Sequence, residues 1–344
     1  MPSEFKNILV VQTAFIGDVI LTLPLVQLIK KNFPETSVDI VVVSRASGLF
    51  SNHPSIRNVI PYDKRGRDKG IRGFRRIQRT LESNRYDLAV VPHRSLRSAL
   101  LVRMAGIPRR VGFSTSAGRW LLTDRVQYRS GIHEIERNIS LLSALGFNVT
   151  GHELPRVYPS DADRDAVERL FQGLSMDPSA PMVGVAPGTI WNTKRWPKER
   201  FAEVVRRLGS EGFEVLLVGG DEDTDLCQEI KVLADSTRVR NVAGKFTLLQ
   251  SAEALRRCKV LLTNDSAPMH LGVAVQTPVV ALFGATVPEF GFAPYGAKDI
   301  VLETKGLSCR PCSIHGGNKC PIGTFECMLR ITPESVLSTI HSFL

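Results

Sequence analysis

Three loops carry residue types that can do chemistry. In the first, the apolar run Ile8 to Val11 ends in a short turn with one glycine and a carboxylate, Gly17-Asp18. Ile20, Leu21, Leu23, Leu25, Leu28 and Ile29 then recur at helical spacing, so the turn joins a strand to a helix. A carboxylate there lies at the carboxyl edge of the strand, where open α/β sheets bind ligands. It can accept a proton from a substrate hydroxyl, or it can simply cap the helix. Gly17 stands alone, which excludes a dinucleotide fingerprint. No Gly-Lys-Ser/Thr follows, which excludes a P-loop.

The other two loops suit an anion. Pro187-Gly188-Thr189 runs through Lys194-Arg195 to Trp196-Pro197. It offers backbone N–H groups, the Thr189 hydroxyl and the Lys194 cation to a phosphate, or it serves as a tryptophan-anchored structural loop. Thr263-Asn264-Asp265-Ser266-Ala267-Pro268-Met269-His270 ends a strand in small polar residues and opens a helix whose first N–H groups can hold a phosphate. Asp265 is expected to orient those donors as a cap, and His270, one turn in, to reach a diphosphate. Gly219-Gly220-Asp221-Glu222 closes the strand between these loops, with acids placed to accept from a ribose diol or to cap a helix.

Two further clusters stand out. Lys64-Arg65-Gly66-Arg67 opens a basic run that continues to Arg79. Its glycines suggest a mobile loop leading into a helix. The run reads either as a solvated helix face or as a landing site for phosphates or carboxylates of an acidic acceptor. It lacks the interleaved aromatics that stack nucleic-acid bases, so no nucleic-acid partner is expected. Cys309, Cys312, Cys320 and Cys327 fit a structural zinc by count. The last two do not form a second close pair, so zinc is not favoured over reduced thiols or a disulfide, and no metal site is assigned.

These loops need strands and helices to hold them. Strand-like runs at 38–43, 87–91, 110–113, 182–186, 213–218, 259–263 and 278–283 alternate with helical stretches, a pattern that implies parallel sheets covered on both faces. A helix is expected over about 133–145, ending at Gly146. Leu154 to Pro159 carries two prolines and reads as a linker, after which the pattern restarts. The 344 residues, 43% of them hydrophobic, suit two domains with a core each: residues 1–160, residues 161–330, and a terminal helix in 331–344. No apolar run approaches the roughly 20 residues of a membrane span. The first residues lack a signal-peptide pattern, so a cytoplasmic protein is expected. The net charge of +10 suggests a polyanionic partner, although soluble enzymes without one share such a balance.

Taken together and in order, the motifs at 17–19, 187–197, 219–222 and 263–270 resemble the ADP-heptose:lipopolysaccharide heptosyltransferases of glycosyltransferase family 9, most closely the heptosyltransferase II branch. The resemblance spans nearly the whole chain. It implies the type B glycosyltransferase fold: α/β, with two Rossmann-like domains across a cleft, and a last helix that crosses back to the first domain. By position, Asp18 matches the family's catalytic acid, here a general base. Thr189 and Lys194 match its phosphate contacts, and Asp265, Ser266 and His270 lie in its diphosphate loop. Glu222 falls at or one residue from its ribose contact. The first domain binds the acceptor, with Lys64, Arg65, Arg67 and Arg94 expected to meet it. Ala267 stands where glycine is frequent, and Phe15-Ile16 replaces a more polar turn. The implied donor is ADP-heptose, with no cofactor. The implied acceptor is Kdo-lipid A or heptosyl-Kdo-lipid A, met at the inner face of the cytoplasmic membrane by a peripheral enzyme. Rival readings are a nicotinamide-dependent oxidoreductase, opposed by the missing glycine fingerprint, and an anion- or nucleic-acid-binding module driven by charge.

Overall fold

The computed structural model describes residues 5–147 and 152–344. The chain divides into two compact units, Met1–Tyr158 and Pro159–Leu344. The first holds β1 (Asn7–Gln12), α1 (Ile16–Ile20), α2 (Leu23–Asn32), β2 (Ser37–Val42), β3 (Asn58–Pro61), α3 (Gly70–Ser83), β4 (Leu88–Val91), α4 (Leu96–Met104), β5 (Arg109–Phe113), β6 (Asp124–Val126) and α5 (Glu134–Ser140). Its six strands are all parallel and lie in the order β3-β2-β1-β4-β5-β6. Ile8, Leu9, Val10 and Val11 of β1 are fully buried, as a central parallel strand covered on both faces requires.

The second unit holds α6 (Asp161–Gly173), β7 (Met182–Ala186), α7 (Lys198–Ser210), β8 (Glu214–Leu217), α8 (Thr224–Ala234), β9 (Val239–Asn241), α9 (Leu248–Arg256), β10 (Val260–Asn264), α10 (Ala267–Ala274), β11 (Val279–Phe283), β12 (Ile300–Glu303), α11 (Glu326–Leu329) and α12 (Pro333–His341). Its parallel sheet runs β12-β11-β10-β7-β8-β9. Counted from its own first strand, each sheet therefore has the order 3-2-1-4-5-6, that of a Rossmann fold. The order reverses between β1 and β4 in one unit and between β7 and β10 in the other. Ligands bind beyond the carboxyl ends of strands at such points. Asp18, Thr189, Lys194, Asp265, Ser266 and His270 all follow one of these four strands.

Two expectations are corrected. The helix after β1 is two helices, because Pro24 lies in the first turn of α2, where its missing N–H costs no intrahelical bond. The 133–145 helix ends at Ser140 and tightens into a 3₁₀ turn over Leu141–Leu145, closed by Gly146 at φ 84°. The terminal helix α12 belongs to the second unit. Val336, Leu337 and Ile340 join the core that also contains Val205 and Leu208 of α7. Glu334 and His341 pair with Arg207 and Glu211 at 3.2 and 2.7 Å. Burying that apolar stripe completes the second unit's own core. Among the described residues no helix is long and apolar enough to cross a membrane.

Candidate active site

The turn after β1 is held from within the first unit. Gln12 donates to the Thr22 hydroxyl at 3.2 Å and accepts the Ala14 N–H at 3.3 Å, and Thr22 Oγ1 donates to the Asp18 carbonyl at 2.9 Å. Asp18, half-buried in α1, accepts the Phe15 N–H through Oδ2 at 3.2 Å. The capping role is thus real, and it fixes where the carboxylate stands.

A group that sequence reasoning missed lies in the same electrostatic neighbourhood. Glu134 and Arg137 of α5 form a buried ion pair at 2.6 Å. Burial pushes the Glu134 carboxyl up; Arg137 opposes that, and the charge of Asp18 adds to it. Tyr128 lies under both guanidinium groups, with Arg94 at 4.2 Å and Arg137 at 5.1 Å from its ring centre. Burial chiefly raises its phenol, with Glu134 and then Asp18 contributing. Asn138, also buried, donates to the Leu21 carbonyl at 3.1 Å and ties α5 to the end of α1. Arg94 thereby joins the surroundings of Asp18.

Lys64 is bonded to the same turn after β1. Its half-buried ammonium donates to the Thr13 carbonyl at 2.6 Å and the Thr13 hydroxyl at 3.2 Å. Burial, then Arg97 and Arg65, hold its pKa below the usual lysine range. Among the described residues no carboxylate pairs with it. Thr13 Oγ1 and Ser98 Oγ lie 2.9 and 3.0 Å from His93 Nδ1. Burial lowers the His93 pKa to about 4, helped by Lys64 and Arg94, so this imidazole is neutral near pH 7. Arg65 and Arg67 are exposed. Within the loop carrying them, Asp63 accepts the N–H groups of Gly66 and Arg67 at 2.9 and 3.1 Å. Beyond it, α3 buries Gly73, Ile77 and Leu81 and turns its arginines to solvent.

In the second unit the loops after β7 and β10 are joined by Asn264. Its side chain donates to the Pro187 carbonyl at 2.8 Å and accepts the Trp196 N–H at 3.1 Å. Trp196 is fully buried and donates to the Ile331 carbonyl at 3.0 Å, so the tryptophan does anchor this loop. Lys194 is thereby brought to Asp265, with Nζ 2.7 Å from Oδ2 and both side chains largely buried. Thr286 donates to the same carboxylate at 2.7 Å. Asp265 therefore does not cap α10; Ser266 is the N-cap residue, and no side chain caps the first N–H groups. An ammonium has three donors, and Asp265 occupies one. Arg195 donates to the Thr189 carbonyl at 2.8 Å, while its Nε–H is buried without a partner. His270 is buried one turn into α10.

Glu222 is exposed, with its carboxylate folded over Gly220. The acid against the Gly188 loop is its neighbour Asp223, which accepts the Gly220 N–H at 3.0 Å. A Cβ on Gly188 would come within 2.0 Å of the Asp223 carboxylate, so any larger residue there has to displace that carboxylate. Burial raises the Asp223 pKa.

Two Rossmann sheets, with a carboxylate at one switch point and a lysine beside a helix start at the other, match the layout of a type B glycosyltransferase fold. The profile of glycosyltransferase family 9 (heptosyltransferase) matches residues 74–318, and the chain belongs to that family. Lipopolysaccharide heptosyltransferase 2 of Salmonella typhimurium is 30% identical over 347 residues, covering 98% of each chain. A glycosyl transferase family 9 structure from Veillonella parvula superposes with a TM-score of 0.89 at 26% identity, covering 98% of this chain and 97% of that one. E. coli ADP-heptose lps heptosyltransferase II does so with a TM-score of 0.81 at 26% identity, covering 98% of each.

Proposed function

We propose that the protein transfers L-glycero-D-manno-heptose from ADP-heptose to the inner core of lipopolysaccharide by inverting displacement, adding the second heptose as heptosyltransferase II does. The observation that carries this reading is the placement of Asp18 and of the Lys194–Asp265 pair at the two Rossmann switch points of a chain similar over its full length to heptosyltransferase 2. The acceptor hydroxyl gives its proton to Asp18 as its oxygen bonds to the anomeric carbon. The bond from that carbon to the diphosphate oxygen breaks, and ADP leaves. Proton removal of this kind contributes roughly 10²–10⁴-fold. The remaining Lys194 donors, Arg195 Nε–H, Ser266 and the start of α10 stabilise the departing charge. Thr189 and His270 complete the diphosphate site, and Glu222 or Asp223 accepts from the ribose. Lys64, Arg65, Arg67 and Arg94 receive the acidic acceptor, with the Lys64 ammonium, which meets no carboxylate among the described residues, as its first anchor.

Adding the first heptose, onto Kdo, is the neighbouring alternative. Incubation with ADP-heptose and either Kdo-lipid A or heptosyl-Kdo-lipid A separates them. Product from the heptosylated acceptor alone is expected. Product from Kdo-lipid A alone reassigns the enzyme to the first heptose, and no product from either refutes the reading.

A further inference from the structure

Residues 304–325 contain neither helix nor strand, yet they hold the candidate diphosphate site from two sides. The first side is the turn that follows β11, Gly284-Ala285-Thr286. All three of its carbonyls are bonded by residues 310–312. Arg310 donates through Nε to Gly284 at 2.6 Å and through Nη2 to Thr286 at 2.8 Å, and the Cys312 N–H donates to Ala285 at 2.9 Å. Arg310 is itself pinned. Its side chain is 6% exposed. Nη2 also donates to the Glu303 carboxylate of β12 at 2.6 Å, and Nη1 donates to the Thr304 carbonyl at 3.0 Å. A planar guanidinium serves several acceptors at fixed angles in this way, where an ammonium is a single point of charge.

The turn so held ends at a partner of the anion site. Thr286 Oγ1 donates to Asp265 Oδ2, the same oxygen that Lys194 Nζ meets. The second side is the approach to Lys194. Gly317 exchanges bonds with Thr193, the residue before it, at 2.8 and 3.0 Å, and a Cβ on Gly316 would lie 3.0 Å from Lys194 Cγ. Each member of the Lys194–Asp265 pair therefore has a neighbour fixed by this loop. A charge set in place beforehand need not reorganise when the leaving group becomes an anion.

We propose that Arg310 is a positioning residue for the diphosphate site: it fixes the Gly284–Thr286 turn, so that Thr286 holds the Asp265 oxygen on which Lys194 rests. The inference rests on the reading of Lys194 as a diphosphate ligand. Arg310 acts through Thr286 and Asp265 and needs no contact with the nucleotide.

The test is ADP titration of the full chain by calorimetry, with steady-state transfer alongside. Arg310→Met alone strands the Glu303 charge, so it is made together with Glu303→Gln. Arg310→Lys, which keeps a cation opposite Glu303, is the second variant. ADP affinity should fall by ~10-fold or more in each, the loss expected when a hydrogen bond to a charged group is misplaced. KM for ADP-heptose should rise in step while KM for the acceptor stays unchanged, a split that general loosening of the fold would not give. In a Thr286→Val chain the same Arg310 replacements should change ADP affinity by less than about threefold, because residues acting through one another are not additive. Native ADP affinity in both Arg310 variants, or an equal loss with and without Thr286, overturns the inference. Lys194→Met separates the two claims. If it weakens ADP while the Arg310 variants do not, the positioning role alone fails. If it too leaves ADP binding unchanged, the reading of the site fails and this inference with it.

Discussion

Asp18 uses Oδ2 to hold the Phe15 N–H, so the capping bond also sets the direction of the proposed base. Asp265 is shared in a similar way, between Lys194 and Thr286. Replacing Lys194 with Met leaves a largely buried carboxylate with only a hydroxyl to compensate it. Thermal or denaturant unfolding should show a loss of about 3 kcal/mol, and Asp265→Asn in the same chain should recover most of it. ADP affinity, read by calorimetry, should fall about tenfold or more in both variants, since a hydrogen bond to a charged group contributes about 1.5–3 kcal/mol. Residue types and loop positions were legible in the sequence at this scale. The pairing was not: Lys194 and Asp265 are far apart in the chain, and only the adjacency of β7 and β10 joins them. Asp223 escaped notice because its burial against Gly188 depends on where β8 ends.

At the scale of elements, α5 shows how local sequence misleads. His133-Glu134-Ile135-Glu136-Arg137 carries mostly polar and charged residues, yet Glu134, Arg137 and Asn138 are buried. Arg137→Met strands the Glu134 charge and should cost about 3–5 kcal/mol in unfolding experiments; adding Glu134→Gln should restore most of it. Helix α3 is the opposite case. Its basic residues form a solvated face, as charge patterning alone suggests, and Arg72, Arg75 and Arg79 are exposed. If that face attaches the enzyme to an anionic bilayer, each arginine near the surface contributes about 1 kcal/mol. Sedimentation with vesicles rich in anionic lipid should weaken steeply with salt and on neutralising the three arginines. Retention at high salt would point to another mode of attachment. The inner strands were legible as apolar runs. The short edge strands β3, β6 and β9 were not, because Asn58, Asp124, Arg125, Arg240 and Asn241 interrupt the apolar signal where one side of the strand has no neighbour.

For the whole molecule, the doubled αβ alternation announced two Rossmann-like halves, and the restart near residue 160 is visible as prolines followed by a capped helix at Ser160. The destination of α12 was not legible, since an apolar stripe does not say which core it completes. Because that stripe belongs to the second unit, residues 159–344 should fold alone and bind ADP within about tenfold of the full chain, a factor worth ~1.4 kcal/mol; failure to fold would contradict the core assignment. Buried histidines contribute to acid sensitivity. His53 accepts the Ser55 N–H through Nδ1 at 3.2 Å, and its Nε2 is buried without a partner. Burial lowers its pKa from 6.5 to about 4. The unfolded chain therefore binds the proton more readily. The stabilisation is complete above about pH 6.5 and is lost as pH falls to about 4, by up to roughly 3 kcal/mol. His53→Asn should flatten the decline of melting temperature across that interval.

The central claim is that Asp18 takes the acceptor proton while the second unit alone holds the nucleotide. Steady-state transfer from ADP-heptose to heptosyl-Kdo-lipid A, measured for Asp18→Asn beside ADP titration of the same preparation, tests it directly. The account predicts a fall in kcat of roughly 10²–10⁴-fold with ADP affinity unchanged. Near-normal turnover in that variant would contradict it.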